Sequence, residues 1–117
     1  MQFTPTLADQ YRDLFDRAVA LATRRREVER AVSRIALAVS RYQVVTAAVD
    51  VPWFVIGIIH HMESFPPLNF DQHLHNGDPL TARTVRVPKD RPRFGSPPFD
   101  WEESAADALE MHALDDV

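Results

Sequence analysis

Apolar residues recur every three or four positions through the first 49 residues of the chain. Neither glycine nor proline occurs between Thr6 and Val49, so no breaker signal ends a helix there. We predict one long helix, or two helices with a bend near the arginines at 24–26, starting from a capping box at residues 6–9. The apolar positions are Leu7, Tyr11, Leu14, Phe15, Ala18, Leu21, Ala22, Val28, Ala31, Val32, Ile35, Val39, Tyr42 and Val45.

A more continuous apolar run occupies the middle of the chain. Asp50 can cap the start of a helix there, and Pro52 suits a first turn. Pro66 disfavours helical backbone at the residue before it, so the helix is expected to end near Ser64. The run is too short to cross a bilayer and is apolar on most sides, which predicts a buried central helix over residues 50–64.

Most of the prolines, with two of the three glycines, fall in residues 65–99, which predicts loops with short extended pieces. Alternating residues at 72–75 and 84–87 flank an Asn76-Gly77 turn signal, so we predict a small β-wing over residues 72–87. Asp100 is a second capping residue, and a C-terminal helix is predicted over residues 100–117. The side chains predicted to be buried on it are Trp101, Ala105, Ala108, Leu109 and His112.

Together these elements predict a single α+β domain, mainly α, over residues 1–117. Hydrophobic residues make up 45% of the chain, enough for a core, and the formal net charge of −4 does not favour nucleic-acid binding. The absence of cysteine excludes disulfides and thiolate metal sites. We predict no secretory signal and no transmembrane span, so a target outside the cytoplasm would require a separate delivery route.

Glu63 is the candidate catalytic group because it ends the central helix. It shares a helix face with Ile56, Ile59 and His60, which are expected to desolvate it. The negative end of the helix dipole also disfavours its ionised form. Both effects favour the protonated carboxyl group, the form in which a general acid works. The alternative is a carboxylate at a helix end that faces water.

The histidines raise the question of a metal site. His60 and Glu63 are three residues apart, and His73 and His75 share one face of the predicted wing. The His-Glu-x-x-His order of zinc peptidases is absent, however, so we expect hydrogen-bonded or surface histidines, with no metal and no cofactor. His60 is then a hydrogen-bonding partner of the Glu63 carboxyl group.

Basic residues crowd the loop after the predicted wing, although the chain is acidic overall. They form a positive patch for an anionic substrate, or only a solvated loop. Aromatic residues flank the same region and suit either sugar rings or a core. The basic residues are Arg83, Arg86, Lys89, Arg91 and Arg93, and the aromatic residues are Phe65, Phe70, Phe94, Phe99 and Trp101.

Two strings of residues carry a resemblance to a known family. The first is residues 51–64, which end in Glu63-Ser64; the second contains Asn76-Gly77-Asp78-Pro79-Leu80 and Thr84-Val85-Arg86-Val87-Pro88. Over roughly residues 41–114 the chain resembles the lysozyme-like proteins of bacteria and their phages, including endolysins and lytic transglycosylases. In that superfamily a Glu-Ser pair ends a buried helix and a β-wing follows. Family members continue with further helices after Trp101, so this chain, ending at Val117, is expected to be a truncated, split or degenerate copy.

The resemblance implies cleavage of the β-1,4 bond between N-acetylmuramic acid and N-acetylglucosamine in peptidoglycan, in the periplasm or cell wall. Glu63 is then the general acid, and Asp78 or Asp71 the second group. Thr81 and Thr84 would position a water molecule. Ser64, His60, Phe65 and Arg83 would bind substrate.

Three functions therefore remain open. The first is a glycosidase of the muramidase or lytic transglycosylase type, between which the sequence does not choose. The second is a non-catalytic wall-binding or helical assembly module that retains the fold. The third is a metal-dependent hydrolase that uses the histidines.

Overall fold

The computed structural model describes residues 4–19 and 21–111, and this part of the chain is mainly helical, as predicted. It contains five α-helices and one 3₁₀ turn, and it contains no β-strand. The helices are α1 (Pro5–Arg17), α2 (Arg25–Leu37), α3 (Val39–Val49), α4 (Trp53–Glu63) and α5 (Trp101–Met111), and the 3₁₀ turn is Ala22–Arg24.

Contacts within the chain define two compact units, Met1–Arg30 and Ala31–Val117. In the first unit, α1 begins at Pro5 because the Thr4 hydroxyl oxygen accepts a hydrogen bond from the Leu7 N–H at 3.1 Å. The predicted capping box at residues 6–9 is therefore wrong: the cap lies two residues earlier, with proline in the first turn. α1 has no buried residue, although its apolar residues recur at helical spacing.

The core of the second unit is built by α3, α4 and α5, joined by Ile35 of α2. Gly57 of α4 allows close packing, because a Cβ there would lie 3.2 Å from the Tyr42 ring and closer still to Ile35. The buried apolar residues are Ile35, Tyr42, Val45, Val49, Val51, Ile56, Leu80, Phe99, Trp101, Ala105, Ala108 and Leu109. Most of the core residues on α3 and α5 were predicted from helical spacing.

The junction between α3 and α4 differs from the prediction. Asp50 does not cap α4; it ends α3 in the left-handed conformation, with φ of 56°. α4 begins after Pro52, and no side chain caps its start. The reason is local: aspartate tolerates left-handed backbone, and this conformation satisfies α3 through the Asp50 N–H, which donates to the Thr46 carbonyl at 2.8 Å.

Within the described residues, no single helix has the length and apolarity to cross a membrane. α3 and α4 together reach that length and composition, but their axes bend by 111° at the break between them. α4 is also only partly buried: Ile56, Gly57 and His60 are buried, whereas Phe54, Ile58 and Met62 are exposed. The predicted central helix is thus buried on one face.

The predicted β-wing over residues 72–87 is wrong. This segment consists of turns with one antiparallel bridge, between Gln72 and Pro79. Side chains take the backbone groups that a strand ladder would use: both N–H groups of Val85 and Arg86 donate to the Asp78 carboxylate, at 2.9 and 3.0 Å. Proline at 79 also lacks an N–H to donate. The finer α+β description therefore does not apply to the described residues.

α5 packs against α3 and completes the core. Trp101, Ala105, Ala108 and Leu109 are buried as predicted, and Ser104 is buried with them. The helix is described to Met111, so the predicted burial of His112 and the helix to residue 117 lie outside the described residues.

Candidate functional site

Glu63 is the last residue of α4, and its side chain is exposed to solvent. The helix face that it continues is buried at Ile56 and His60, but the chain leaves the helix immediately afterwards. Glu63 thus lies one turn beyond the part of α4 that the core covers. The predicted desolvation of its carboxyl group by α4 is wrong.

The chain after Glu63 is held by a short series of side-chain hydrogen bonds. The Ser64 hydroxyl donates to the His60 carbonyl at 2.6 Å and accepts from the Asn69 N–H at 3.2 Å. The Gln72 side chain makes two hydrogen bonds to the backbone of Phe65. The Gln72 amide N–H donates to the Phe65 carbonyl at 3.0 Å, and the Gln72 amide oxygen accepts from the Phe65 N–H at 3.4 Å. We call residues 63–72 the helix-end rim. Its backbone is fixed beside an accessible carboxylate.

His60 connects this rim to the core. Its Nε2 lies 2.9 Å from the Asn69 carbonyl, which can only accept, so Nε2 carries the proton. Nδ1 is then the acceptor for the Tyr42 hydroxyl, also at 2.9 Å. Burial lowers the pKa of His60, which agrees with this neutral tautomer. His60 therefore supports the rim; its described bonds run to Tyr42 and Asn69 and do not include Glu63.

Asp78, the favoured second carboxylate, is a structural group of the loop. It is 7% exposed and accepts hydrogen bonds from the Val85 and Arg86 N–H groups and from Arg86 Nε at 2.6 Å. Partial burial raises the pKa of Asp78, but these hydrogen bonds outweigh it and lower the pKa to about 2. The carboxylate is ionised at neutral pH and fully engaged. Its catalytic role stays a prediction, and these bonds compete with that role.

Asp71 is the more accessible of the two candidates. It lies in the helix-end rim, is exposed, and has its N–H bonded to the Asn69 side-chain oxygen at 2.8 Å. Thr81 is exposed on a turn, whereas Thr84 is buried. The Thr84 hydroxyl donates to the Pro88 carbonyl and accepts from the Arg91 N–H, so it is engaged in the loop itself.

Three of the five basic residues in the predicted patch form hydrogen bonds or ion pairs within the protein. Arg86 pairs with Asp78, and Arg91 makes a two-pronged pair with Asp107, with Nη2 2.6 Å from Oδ1. Arg83 donates to the Pro92 and Gly95 carbonyls and lies over the Phe99 ring. The three arginines stabilise the irregular segment. Their basicity was visible in the sequence, but their carboxylate and carbonyl partners were not.

His73 and His75 lie in a polar cluster between the loop region and α5. His73 bonds the Ser104 hydroxyl at 2.6 Å and the Ala82 carbonyl at 2.7 Å, and His75 bonds Asp107 at 2.6 Å. Burial lowers the pKa of His75, against the opposing effect of Asp107. No group of three metal-ligating side chains occurs within residues 4–19 and 21–111.

Among the described residues, at least two grooves lie on the second unit, and Glu63 lines neither of these two. The first, about 360 Å³, runs along α5 between Val44, Phe94 and Glu103. The second, about 470 Å³, lies beside the helix-end rim and is lined by Pro67, Leu68 and Phe70, with residues of α2 and α3. Sequence spacing did not indicate the second groove, because its walls come from two stretches that are distant in sequence, residues 34–41 and 67–70.

Comparisons of the chain with protein-family models, with curated proteins and with solved structures give no match. The arguments for function therefore rest on the residues themselves.

Proposed function

We propose that this chain cleaves the glycan strand of peptidoglycan, with Glu63 as the general acid. One observation supports the proposal best: Glu63 is accessible at the end of a helix whose following residues are fixed by side-chain bonds from Ser64 and Gln72. A polymer cannot enter an enclosed cavity, so an exposed carboxyl group beside a fixed stretch of backbone suits it. The sequence resemblance around Glu63-Ser64 points to the same chemistry.

In the proposed reaction, the Glu63 carboxyl group gives its proton to the glycosidic oxygen as the bond from that oxygen to the anomeric carbon breaks. The leaving sugar departs as an alcohol, and an oxocarbenium-like sugar remains. Water, or a hydroxyl group of the same sugar, adds to the anomeric carbon and returns a proton to the Glu63 carboxylate. Asp71 is the accessible candidate to stabilise the cation or to orient that water.

Bound substrate has a specific task in this scheme. The exposed Glu63 is surrounded by water in the free chain, and a sugar ring seated on the helix-end rim would displace that water. Removing water disfavours the charged carboxylate and so favours the proton-donating form. In this proposal, the bound substrate removes water from Glu63 and so makes acid catalysis possible, whereas in other enzymes a preformed apolar pocket does this.

Clearing of purified cell walls tests the proposal, with the native chain compared with Glu63→Gln. We expect the substitution to lower the clearing rate by at least about 100-fold, because general acid catalysis contributes about 10²–10⁴-fold. Glu29→Gln on α2 is the matched control, an exposed helix glutamate that lines neither groove, and should clear at the native rate. Equal clearing by native chain and Glu63→Gln would refute the assignment of Glu63.

The second candidate is a non-catalytic wall-binding module. The position of Glu63 outside both grooves favours it. This candidate predicts that the native chain and Glu63→Gln sediment equally with purified walls, and that neither clears them. The same samples therefore decide between the two functions.

A further inference from the structure

The groove beside the helix-end rim carries a charge that the rest of the protein does not use. Two arginines line it, Arg34 of α2 and Arg41 of α3. Arg41 is committed: its Nε and Nη2 donate to the two carboxylate oxygens of Glu102, and this pairing lowers the pKa of Glu102. Arg34 is exposed, and among the described residues no hydrogen bond or ion pair engages its guanidinium group. The groove therefore has one net positive charge.

The opposite wall of the groove is apolar and aromatic. The Phe70 ring is already covered there, with the Arg41 guanidinium carbon 4.0 Å from its centroid and the His60 and Trp101 rings packed against it, so Pro67 and Leu68 form the accessible part of this wall. Flat apolar surface next to a cation suits a ring that is apolar on its face and anionic at its edge. A volume of about 470 Å³ lies within the usual range of small-molecule sites, about 300–1,000 Å³.

The groove wall is also held in an unusual backbone conformation. Leu68 has φ of 61°, in the left-handed region that a leucine rarely adopts. Such a conformation is unfavourable for leucine and persists only where neighbouring bonds enforce it. Here those bonds come from Ser64 and His60, which hold the N–H and the carbonyl of Asn69. Strained backbone of this kind is typical of ligand clamps.

We propose that this groove is a carboxylate-binding subsite for the glycan strand, in which Arg34 pairs with the carboxylate and the Pro67–Leu68 wall receives the sugar face. The inference rests on the proposed function for the identity of the polymer. Two sources supply the same chemistry, the lactyl carboxylate of the sugar and a carboxylate of the attached peptide.

Binding is measured on chains that carry Glu63→Gln, so that no turnover affects the result. Calorimetry uses three probes: the disaccharide with a free lactyl carboxylate, the same disaccharide with that group amidated, and the disaccharide-peptide. Arg34→Gln is compared with Arg30→Gln, an exposed arginine of the same helix that does not line the groove. Circular dichroism of both variants checks folding.

We expect Arg34→Gln to weaken binding of a carboxylate-bearing probe by at least about 10-fold, since a hydrogen bond to a charged group contributes about 1.5–3 kcal/mol. Arg30→Gln should bind as its parent does. If amidation of the lactyl group causes the same loss, that carboxylate is the source; if only the disaccharide-peptide shows the loss, the peptide is the source. Equal binding by the two variants, or no binding of any probe, would overturn the subsite.

Failure of this inference is distinguishable from failure of the proposed function. Loss of clearing in Glu63→Gln together with equal binding by Arg34→Gln and Arg30→Gln would keep the catalytic proposal and reject the subsite. Native clearing by Glu63→Gln with a selective loss in Arg34→Gln would do the opposite.

Discussion

α1 and the loop segment of residues 65–99 show opposite relations between regularity and burial. α1 is a regular, capped helix of 13 residues, yet none of its residues is buried. The loop segment has no strand, yet it buries His73, Asp78, Leu80, Thr84 and Phe99. Backbone regularity therefore does not identify the part of this chain that is fixed in place. In the loop segment, side chains that capture backbone N–H and carbonyl groups provide the order.

The largest difference between the loop segment and α1 is expected when the Asp78 carboxylate is removed. We expect Asp78→Ala to lower the free energy of unfolding by about 3 kcal/mol, because it leaves Arg86 and two backbone N–H groups without their buried acceptor. Asp13→Ala on α1 breaks an exposed pair with Arg17 and should cost less than about 0.5 kcal/mol. Urea unfolding measures both. Equal losses would show that the loop bonds add nothing beyond exposed ion pairs.

Acid should weaken the same carboxylate without mutation. Since the folded-state pKa of Asp78 is lowered from 3.8 to about 2, its contribution is complete above about pH 4 and is lost as the pH falls toward 2. The loss should be smaller than in Asp78→Ala, because a protonated carboxyl group keeps an acceptor oxygen. Thermal unfolding between pH 5 and 2 measures it. In Asp78→Asn this decline should shrink, and an unchanged decline would contradict the assignment.

The core of the second unit offers a steric test. Gly57→Ala should destabilise the chain by about 2 kcal/mol, because the new Cβ meets the buried Tyr42 ring and Ile35. At an uncrowded helix position the same change would stabilise by about 1 kcal/mol. The sign of the change in the urea midpoint is therefore decisive, and an increase would show that α3 and α4 are packed less closely than described.

A smaller effect on stability is expected when the hydrogen bond between Tyr42 and His60, which supports the helix-end rim, is removed. Tyr42→Phe removes the hydroxyl that donates to His60 Nδ1 and leaves a buried acceptor without its partner, which should cost about 1 kcal/mol. It should also speed amide exchange at Asn69, because the other side of the same imidazole holds the Asn69 carbonyl and the Asn69 N–H donates to the Ser64 hydroxyl beside it. Unchanged stability and exchange would mean that the two hydrogen bonds of His60 are not coupled.

The smallest effect is expected at the N-terminus. Deleting residues 1–17 removes α1, which buries no residue, so the unfolding free energy of the second unit should change by less than about 0.5 kcal/mol. Denaturant unfolding monitored by fluorescence of the buried Trp101 measures this. A large loss would show that α1 stabilises the core despite its exposure.

These regions also show what the sequence could predict. The spacing of Tyr42, Val45, Trp101 and Ala105 identified helix faces that the structure buries, because helical period is a local property. The wing was wrong because Asn76-Gly77 and flanking alternation are local signals, whereas the capture of two backbone N–H groups by Asp78 depends on where the loop returns. The arginines were visible without their partners for the same reason.

The candidate site shows a related limit. Spacing correctly placed Glu63 on the face of α4 that contains Ile56 and His60. The spacing did not reveal how far neighbouring elements extend along that face. Burial of this face ends at His60, one turn before Glu63. The groove at Arg34 and Phe70 gave no sequence signal, because it forms where α2, α3 and the rim meet.

The two hydrogen bonds of the His60 imidazole also make this ring a useful NMR reporter. A single tautomer at His60, with the proton on Nε2, should give one pair of nitrogen resonances with widely separated shifts. A ligand that pulled Asn69 away, or a shift of α3 that withdrew Tyr42, would allow both tautomers and bring the resonances together. An isotope-labelled His60 ring would thus report, from within the hydrophobic interior, events at the helix-end rim.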